Sequence, residues 1–200
     1  MNLPISDIAP TIQAGFPFRK RVPASDLGSV YVIQGKDIRQ DHTVDVSGLV
    51  RVEPQHGFDR CQVFPGDVLI MNRGVRNYAT LVREPFDDRV IAVATFFILR
   101  VDTNRVDPEY LTWYLNLPEV QRTLGEKSRG TSIPHLTVQA LGDLEVPVLS
   151  LEHQTAILRA AVLIDHDLQL ATELAAQRRE LLFASLREIT RSKSHALNDE

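Results

Sequence analysis

Leu144-Glu145-Val146-Pro147-Val148-Leu149-Ser150-Leu151-Glu152-His153-Gln154 is the stretch whose reading decides the fold. Its first five residues read as a short buried strand. From Leu151 to about Ile189 the sequence predicts one very long amphipathic helix, which Ser150 can cap. On a helical wheel Ile157, Ala161, Ile164, Leu168, Ala171, Leu174, Ala175, Leu182, Leu186 and Ile189 share one side with Ala160, Leu163, Leu170 and Leu181. That side is roughly 180° wide, whereas a helix lying on its own domain needs only about 100°. At a rise of about 1.5 Å per residue the predicted rod is roughly 60 Å long, twice the diameter of a small domain. A rod of that length is expected to project and to need a partner. The first ten residues named are the expected pairing surface.

Working outward, the 200 residues with 44% apolar content can bury a core. One domain over residues 1–149, a helix over 150–190 and a polar, frayed tail over 191–200 account for the length better than two domains do. A lone cysteine, Cys61, rules out an intrachain disulfide and points to a reducing cytoplasm. The sequence shows neither a basic start followed by an apolar run nor 18 consecutive apolar residues, so neither secretion nor a membrane partner is expected. Charge gives no sign of a nucleic-acid binder: 22 basic against 26 acidic side chains leave a net −4. If the chain binds DNA, it does so through local basic loops or with help from a partner.

The fold class read from the pattern is α+β. Residues 30–33, 49–52, 68–71, 79–82 and 90–99 are β-rich runs bounded by Gly, Pro, Asp or Asn. The strongest runs from Ile91 to Leu99, apolar on both faces and therefore read as central. Asp107-Pro108-Glu109 is a helix start with Leu111, Tyr114 and Leu115 on its buried face. Leu117-Pro118 ends that helix and opens another, carrying Val120 and Leu124. Gly125 to His135 reads as a polar loop, and Thr137 as the cap of one short turn before the closing strand.

Two loops carry groups suited to nucleic acid. Pro65-Gly66-Asp67-Val68-Leu69-Ile70 leads to Asn72-Arg73-Gly74, so Arg73, Arg76, Asn77 and Tyr78 fall on a loop at the end of a strand. The plain reading is a hairpin. The functional one is that guanidinium and amide groups there reach phosphates or base edges. Lys127-Ser128-Arg129-Gly130-Thr131-Ser132 sets two cations among small hydroxyls, and it reads either as a solvated loop or as a phosphate contact through Lys127, Arg129, Thr131 and Ser132. Within Arg19-Lys20-Arg21, Lys20 and Arg21 are candidates for backbone phosphates, beside the plain reading of a solvated segment.

Absences narrow the chemistry. Six histidines show no ligand spacing, and His166 between Asp165 and Asp167 cannot converge with them on one ion, so no metal is assigned. No GxxxxGK[ST], no GxGxxG and no Gly-x-Ser-x-Gly occurs. Glu-x-Lys and the Pro-Pro-aromatic tetrads are missing as well, so nuclease and base-methylating sites have no carrier. No catalysis and no cofactor is expected.

Taken in order, the pieces resemble a target recognition domain from the specificity subunit of Type I restriction–modification systems. They are Gly15-Phe16-Pro17-Phe18, Pro65-Gly66-Asp67-Val68-Leu69-Ile70 with Arg73-Gly74, and Tyr110-Leu111 through to Leu124. They continue with Gly130-Thr131-Ser132-Ile133-Pro134-His135-Leu136-Thr137, Leu144-Glu145-Val146-Pro147-Val148 and Glu152-His153-Gln154. Members of this family carry two such domains and two long helices, so the chain resembles a half-subunit.

The resemblance implies a non-catalytic protein that holds double-stranded DNA. It would carry DNA adenine methyltransferase subunits and, in restriction complexes, the motor-nuclease subunit. Two copies, or this chain and a second half-subunit, would pair antiparallel through residues 151–189. A roughly 60 Å spacer exceeds one DNA turn of about 34 Å, which leads to the expectation of two half-sites around an unread gap. The alternative is a scaffold that binds a methyltransferase or another specificity subunit without reading DNA.

Overall fold

The apolar run over residues 91–99, expected to be one central strand, divides between two sheets. Arg89–Ala92 belongs to one and Phe96–Arg100 to the other, and a turn closed by the Phe96 N–H on the Val93 carbonyl (3.0 Å) separates them. Gly15 and Phe16 fill the break. Phe16 donates to the Ala92 carbonyl at 2.7 Å and accepts from the Ala94 N–H at 2.9 Å, while Gly15 donates to Phe96 O at 3.0 Å. A Cβ on Gly15 would lie 2.4 Å from the carbonyl oxygens of Ala92 and Val93, so only glycine fits. Both halves of the run are apolar on both faces, which is why hydrophobic pattern could not place the break.

The computed structural model describes residues 1–196 except Val75, Glu84 and residues 129–133, with backbone alone for residues 188–196. Two compact units result, Met1–Thr155 and Ala156–Glu200. The first contains β1 (Asn2–Pro4), α1 (Ile5–Ile8), β2 (Thr11–Ala14), β3 (Val30–Ile33), β4 (Val50–Val52) and β5 (Val68–Met71). Next come β6 (Ala79–Leu81), β7 (Arg89–Ala92), β8 (Phe96–Arg100), α2 (Pro108–Leu115), α3 (Pro118–Lys127), α4 (Val138–Gly142) and β9 (Glu145–Pro147). The helix α5 (Leu151–Ala196) starts in this unit and supplies the second.

Among the described residues three small sheets make the β part. An antiparallel sheet has the order β2-β8-β5-β6, so β8 is indeed internal, and Leu69 pairs with Ile98 and Thr80. A second sheet, β4-β3-β7, is antiparallel at one edge and parallel at the other, with Val32 opposite Val50 and Ile91. Strand alternation sends Val30, Val32 and Ile91 to one core with Val52, Phe58 and Cys61, and Ile33, Val90 and Ala92 to another with Leu69, Phe96 and Ile98. The third sheet pairs β1 with β9 through Leu3 and Val146. Pro4 hid β1 from sequence reading, whereas the strand expected over residues 144–148 is present as β9 despite Pro147.

The predicted helix signals operate as expected. Asp107 accepts the Glu109 N–H at 2.7 Å ahead of Pro108, Thr137 accepts the Ala140 N–H at 3.1 Å, and Ser150 Oγ accepts the His153 N–H at 3.3 Å. Tyr110 and Tyr114 donate their hydroxyls to the carbonyls of Pro147 and Glu145, which fastens α2 to β9. Two boundaries differ. The helix α3 continues to Lys127, past Gly125, and α5 continues to Ala196 rather than stopping near Ile189. Thr190-Arg191-Ser192-Lys193-Ser194-His195-Ala196 contains no Gly or Pro to end a helix.

Candidate nucleic-acid interface

The strand β5 connects a rigid turn to the candidate loop. At its start Asp67 accepts the Phe64 N–H at 2.9 Å and Arg100 Nε at 3.1 Å. Burial pushes the Asp67 carboxyl up from its ordinary value, against both of these contacts. At its far end Asn72 is buried, its Nδ2 donates to the Ala94 carbonyl at 2.9 Å, and its backbone carbonyl accepts the Leu136 N–H at 2.9 Å. Gly74, at φ 114°, donates to Pro134 O at 3.2 Å, and Arg73 forms a single antiparallel bridge with His135. The loop after β5 and the segment before α4, read separately in the sequence, therefore meet.

Side-chain amides fix the return of this loop into β6, an edge strand. Gln121 accepts the Asn77 N–H at 3.0 Å and donates to the Asn77 carbonyl at 2.9 Å and to Leu115 O at 2.8 Å. One residue pair further on, Asn116 accepts the Ala79 N–H at 2.9 Å and donates to its carbonyl at 2.8 Å. Each carboxamide stands where the backbone of a neighbouring strand would otherwise pair, which satisfies the open edge. The Met71 N–H donates to Tyr78 O at 3.0 Å and closes the hairpin below the loop.

This geometry sorts the candidate residues. Arg73 and Arg76 are exposed, and Arg76 is hydrogen-bonded to the Tyr78 hydroxyl with its guanidinium 5.6 Å from the ring centre. Tyr78 and Lys127 are half-buried. Asn77, expected to reach DNA, is held inside the loop. It is 1% exposed, its Nδ2 donates to Met71 O at 2.7 Å and its Oδ1 accepts from Ser128 Oγ at 3.3 Å, so its polar groups serve the loop itself. Arg129, Thr131 and Ser132 lie outside the described residues. Lys20 and Arg21 are exposed on the segment after Phe18, whose ring packs edge-on against Phe16 at 4.9 Å.

Sequence reasoning did not single out His42. It sits on the hairpin closed by the Ile38–Val44 bridge, at φ 60°, with its ring centre 4.2 Å from that of Tyr78. Nothing in the sequence separates it from the other five histidines. A cavity of about 350 Å³ beside this hairpin is lined by Arg39, Asp41, Asp45 and Arg83 among others. Its cations are taken, since Arg39 pairs with Asp45 at 3.1 Å and Arg83 with Glu109 at 2.7 Å. Among the described residues no group of three His, Cys, Asp or Glu could hold a metal ion, and no helix is long and apolar enough to cross a membrane.

In the second unit, Ile164, Leu168 and Leu182 of the expected pairing surface are 59%, 62% and 66% exposed. Leu174 and Leu186 are exposed as well, as are Ala171 and Ala175, while Ile157 and Ala161 are half-buried. The side chain of Ile189 lies outside the described residues.

The class that emerges is an α+β unit of three small sheets, its loops braced by short helices, followed in the chain by one helix of 46 residues. Solved structures place that class: the fold is that of one half of a Type I restriction–modification specificity subunit. The HsdS subunit from Thermoanaerobacter tengcongensis superposes with a TM-score of 0.66 at 20% identity, over 88% of this chain and 45% of its own. The S subunit of the Type I system from M. genitalium gives 0.55 at 15% identity, over 84% and 40%. A chain from a structure describing complex assembly and conformational transition of the type I R-M system gives 0.63 at 18%, over 88% and 41%. The chain thus spans less than half the length of the structures it matches. No family model and no curated protein sequence matches it.

Proposed function

We propose that the chain is the DNA-recognition subunit of a Type I restriction–modification or related methyltransferase system, with no chemistry of its own. The fold shared with one half of the HsdS structures carries this reading. Arg73, Arg76, Tyr78 and Lys127 supply the contacts of one recognition loop, and Lys20 and Arg21 supply phosphate contacts. The open apolar face of α5 pairs antiparallel with a second copy, or with a second half-subunit, and rebuilds the two-domain arrangement. Such a pairing buries on the order of 1,500 Å², a standard interface. The target is then two short half-sites around an unread spacer, inverted copies in the case of a homodimer.

With a net charge of −4 the chain binds duplex weakly alone and strongly beside an adenine methyltransferase subunit, whose own basic surface neutralises phosphates. The test is selection from a random duplex pool by the chain alone and by the chain co-expressed with such a methyltransferase. Enrichment of a bipartite motif by the complex supports the reading. A continuous motif refutes the paired geometry, and no enrichment refutes DNA recognition itself.

A further inference from the structure

The geometry points to His42 as a base-reading residue that acts with Tyr78 and Arg76 as one contiguous unit facing the major groove of duplex DNA. This rests on the DNA-recognition reading above and extends it to a residue that neither the motifs nor the charge pattern selects.

Three observations carry it. His42 holds φ 60° at the tip of a tight hairpin, where the Arg39 N–H donates to Thr43 O at 2.9 Å and the His42 N–H to Arg39 O at 3.0 Å. A left-handed backbone is strained for a non-glycine residue and persists where the surroundings impose it. The turn is braced by Asp41, whose Oδ1 accepts both the N–H and the hydroxyl of Thr43.

The second observation is the ring contact. The His42 and Tyr78 ring centres lie 4.2 Å apart with their planes tilted by 37°, and the Arg76 guanidinium lies 5.6 Å from the Tyr78 ring centre while bonding its hydroxyl. Residues from two hairpins that serve different sheets are thereby fixed against each other. The third is the support underneath. Tyr78 O is held by the Met71 N–H, and the adjoining Asn77 backbone is held on both sides by Gln121. The unit is ordered before it meets a ligand, which removes the entropic cost of assembling it there.

The donor set fits base edges better than phosphates. Arginine offers a fork matched to guanine O6 and N7, and a neutral imidazole offers one donor and one acceptor. Burial lowers the His42 pKa, with Asp41 opposing, so near neutral pH the ring carries no charge and acts through hydrogen bonds. Phosphate neutralisation falls instead to freely exposed cations such as Lys20 and Arg21.

The experiment is selection from the random duplex pool by the methyltransferase complex, comparing wild type with His42→Ala, with His42→Asn and with the double variant Lys20→Ala, Arg21→Ala. Asparagine tolerates the left-handed backbone, so His42→Asn guards against a hairpin that fails to fold. Both His42 variants are expected to lose preference at one or two adjacent positions of each half-site and to bind the wild-type consensus about tenfold more weakly. The double variant should weaken all sequences alike and keep the preference. An unchanged motif in both His42 variants overturns the proposal, as does a loss that follows a lower melting temperature or weaker methyltransferase association. If wild type itself enriches nothing, the functional reading falls and this inference falls with it. If wild type enriches a motif that the variants retain, only this inference falls.

Discussion

Gln154 accepts the Asp107 backbone N–H at 2.8 Å, which ties the first turn of α5 to the residue that caps α2. The same carboxamide donates to the carbonyls of Arg105 and Leu149 at 2.9 and 2.8 Å, and the side chain is fully buried. With Gln121 and Asn116 it forms a set of three side-chain amides that each pair with backbone donors and acceptors no strand reaches.

Replacing Gln154 by leucine keeps most of the volume and strands three backbone groups. The expected cost is about 2 kcal/mol, because buried groups left unpaired are penalised by more than a typical hydrogen bond contributes. Denaturant unfolding should show a lower midpoint with an unchanged slope. An unchanged midpoint would mean that water replaces the amide freely.

Asn77 and Arg76 are neighbours with opposite expected phenotypes. Asn77→Ala should destabilise by about 1–3 kcal/mol through the freed Met71 carbonyl and the lost Ser128 contact. Arg76→Ala should change stability by no more than about 0.5 kcal/mol and weaken DNA binding by the methyltransferase complex. Thermal melts beside binding titrations separate the two. Equal behaviour would show that Asn77 serves DNA binding as Arg76 does.

At Gly15 the added methyl of alanine would meet two backbone carbonyls that sheet pairing holds in place. Gly15→Ala should cost about 3 kcal/mol or more, since backbone cannot give way as a flexible side chain can. Poor soluble yield and a large drop in melting temperature are expected. A normal melt would show that the β7–β8 break is soft.

Legibility of the sequence followed the range of the forces involved. Strands 30–33 and 68–71 match β3 and β5 residue for residue, because turn residues bound short runs rich in β-branched and apolar side chains. Asp107, Thr137 and Ser150 were readable as caps because capping is local chemistry. The split of residues 91–99 depended on Gly15 and Phe16, far off in the chain. The burial of Asn77 depended on Gln121 in a helix not yet placed. A polar residue beside two arginines in a loop looks available for contact until its partners are known.

The open face of α5 predicts association. Wild-type protein at micromolar concentration should sediment as a dimer, and the double variant Leu168→Glu, Leu182→Glu as a monomer, because charges at a closely packed helical seam are left desolvated and unpaired. A monomeric wild type, or a variant that still dimerises, would count against pairing through this face.

His42 gives a pH dependence with a definite sign. Its folded pKa lies below the ordinary value of 6.5, so folding disfavours the protonated ring. Its contribution to stability is unimpaired above pH 6.5 and declines as pH falls from there through the lowered value. His42→Asn should flatten this part of a stability–pH curve measured by thermal melting between pH 7 and 5. A curve identical to wild type would place the effect elsewhere.

From Leu151 to Ala196 the chain contains neither glycine nor proline, so its longest element has no natural point of articulation. Adding or removing residues in such an element rotates everything beyond the change by about 100° per residue, while moving it only about 1.5 Å. Steps of seven come within about 20° of the starting phase. Each shifts the far end by about 10.5 Å, or three base-pair rises of about 3.4 Å. On the pairing proposed above, variation that keeps the apolar side in register is confined to steps near a whole number of turns, and the gap between half-sites should change in discrete steps rather than residue by residue.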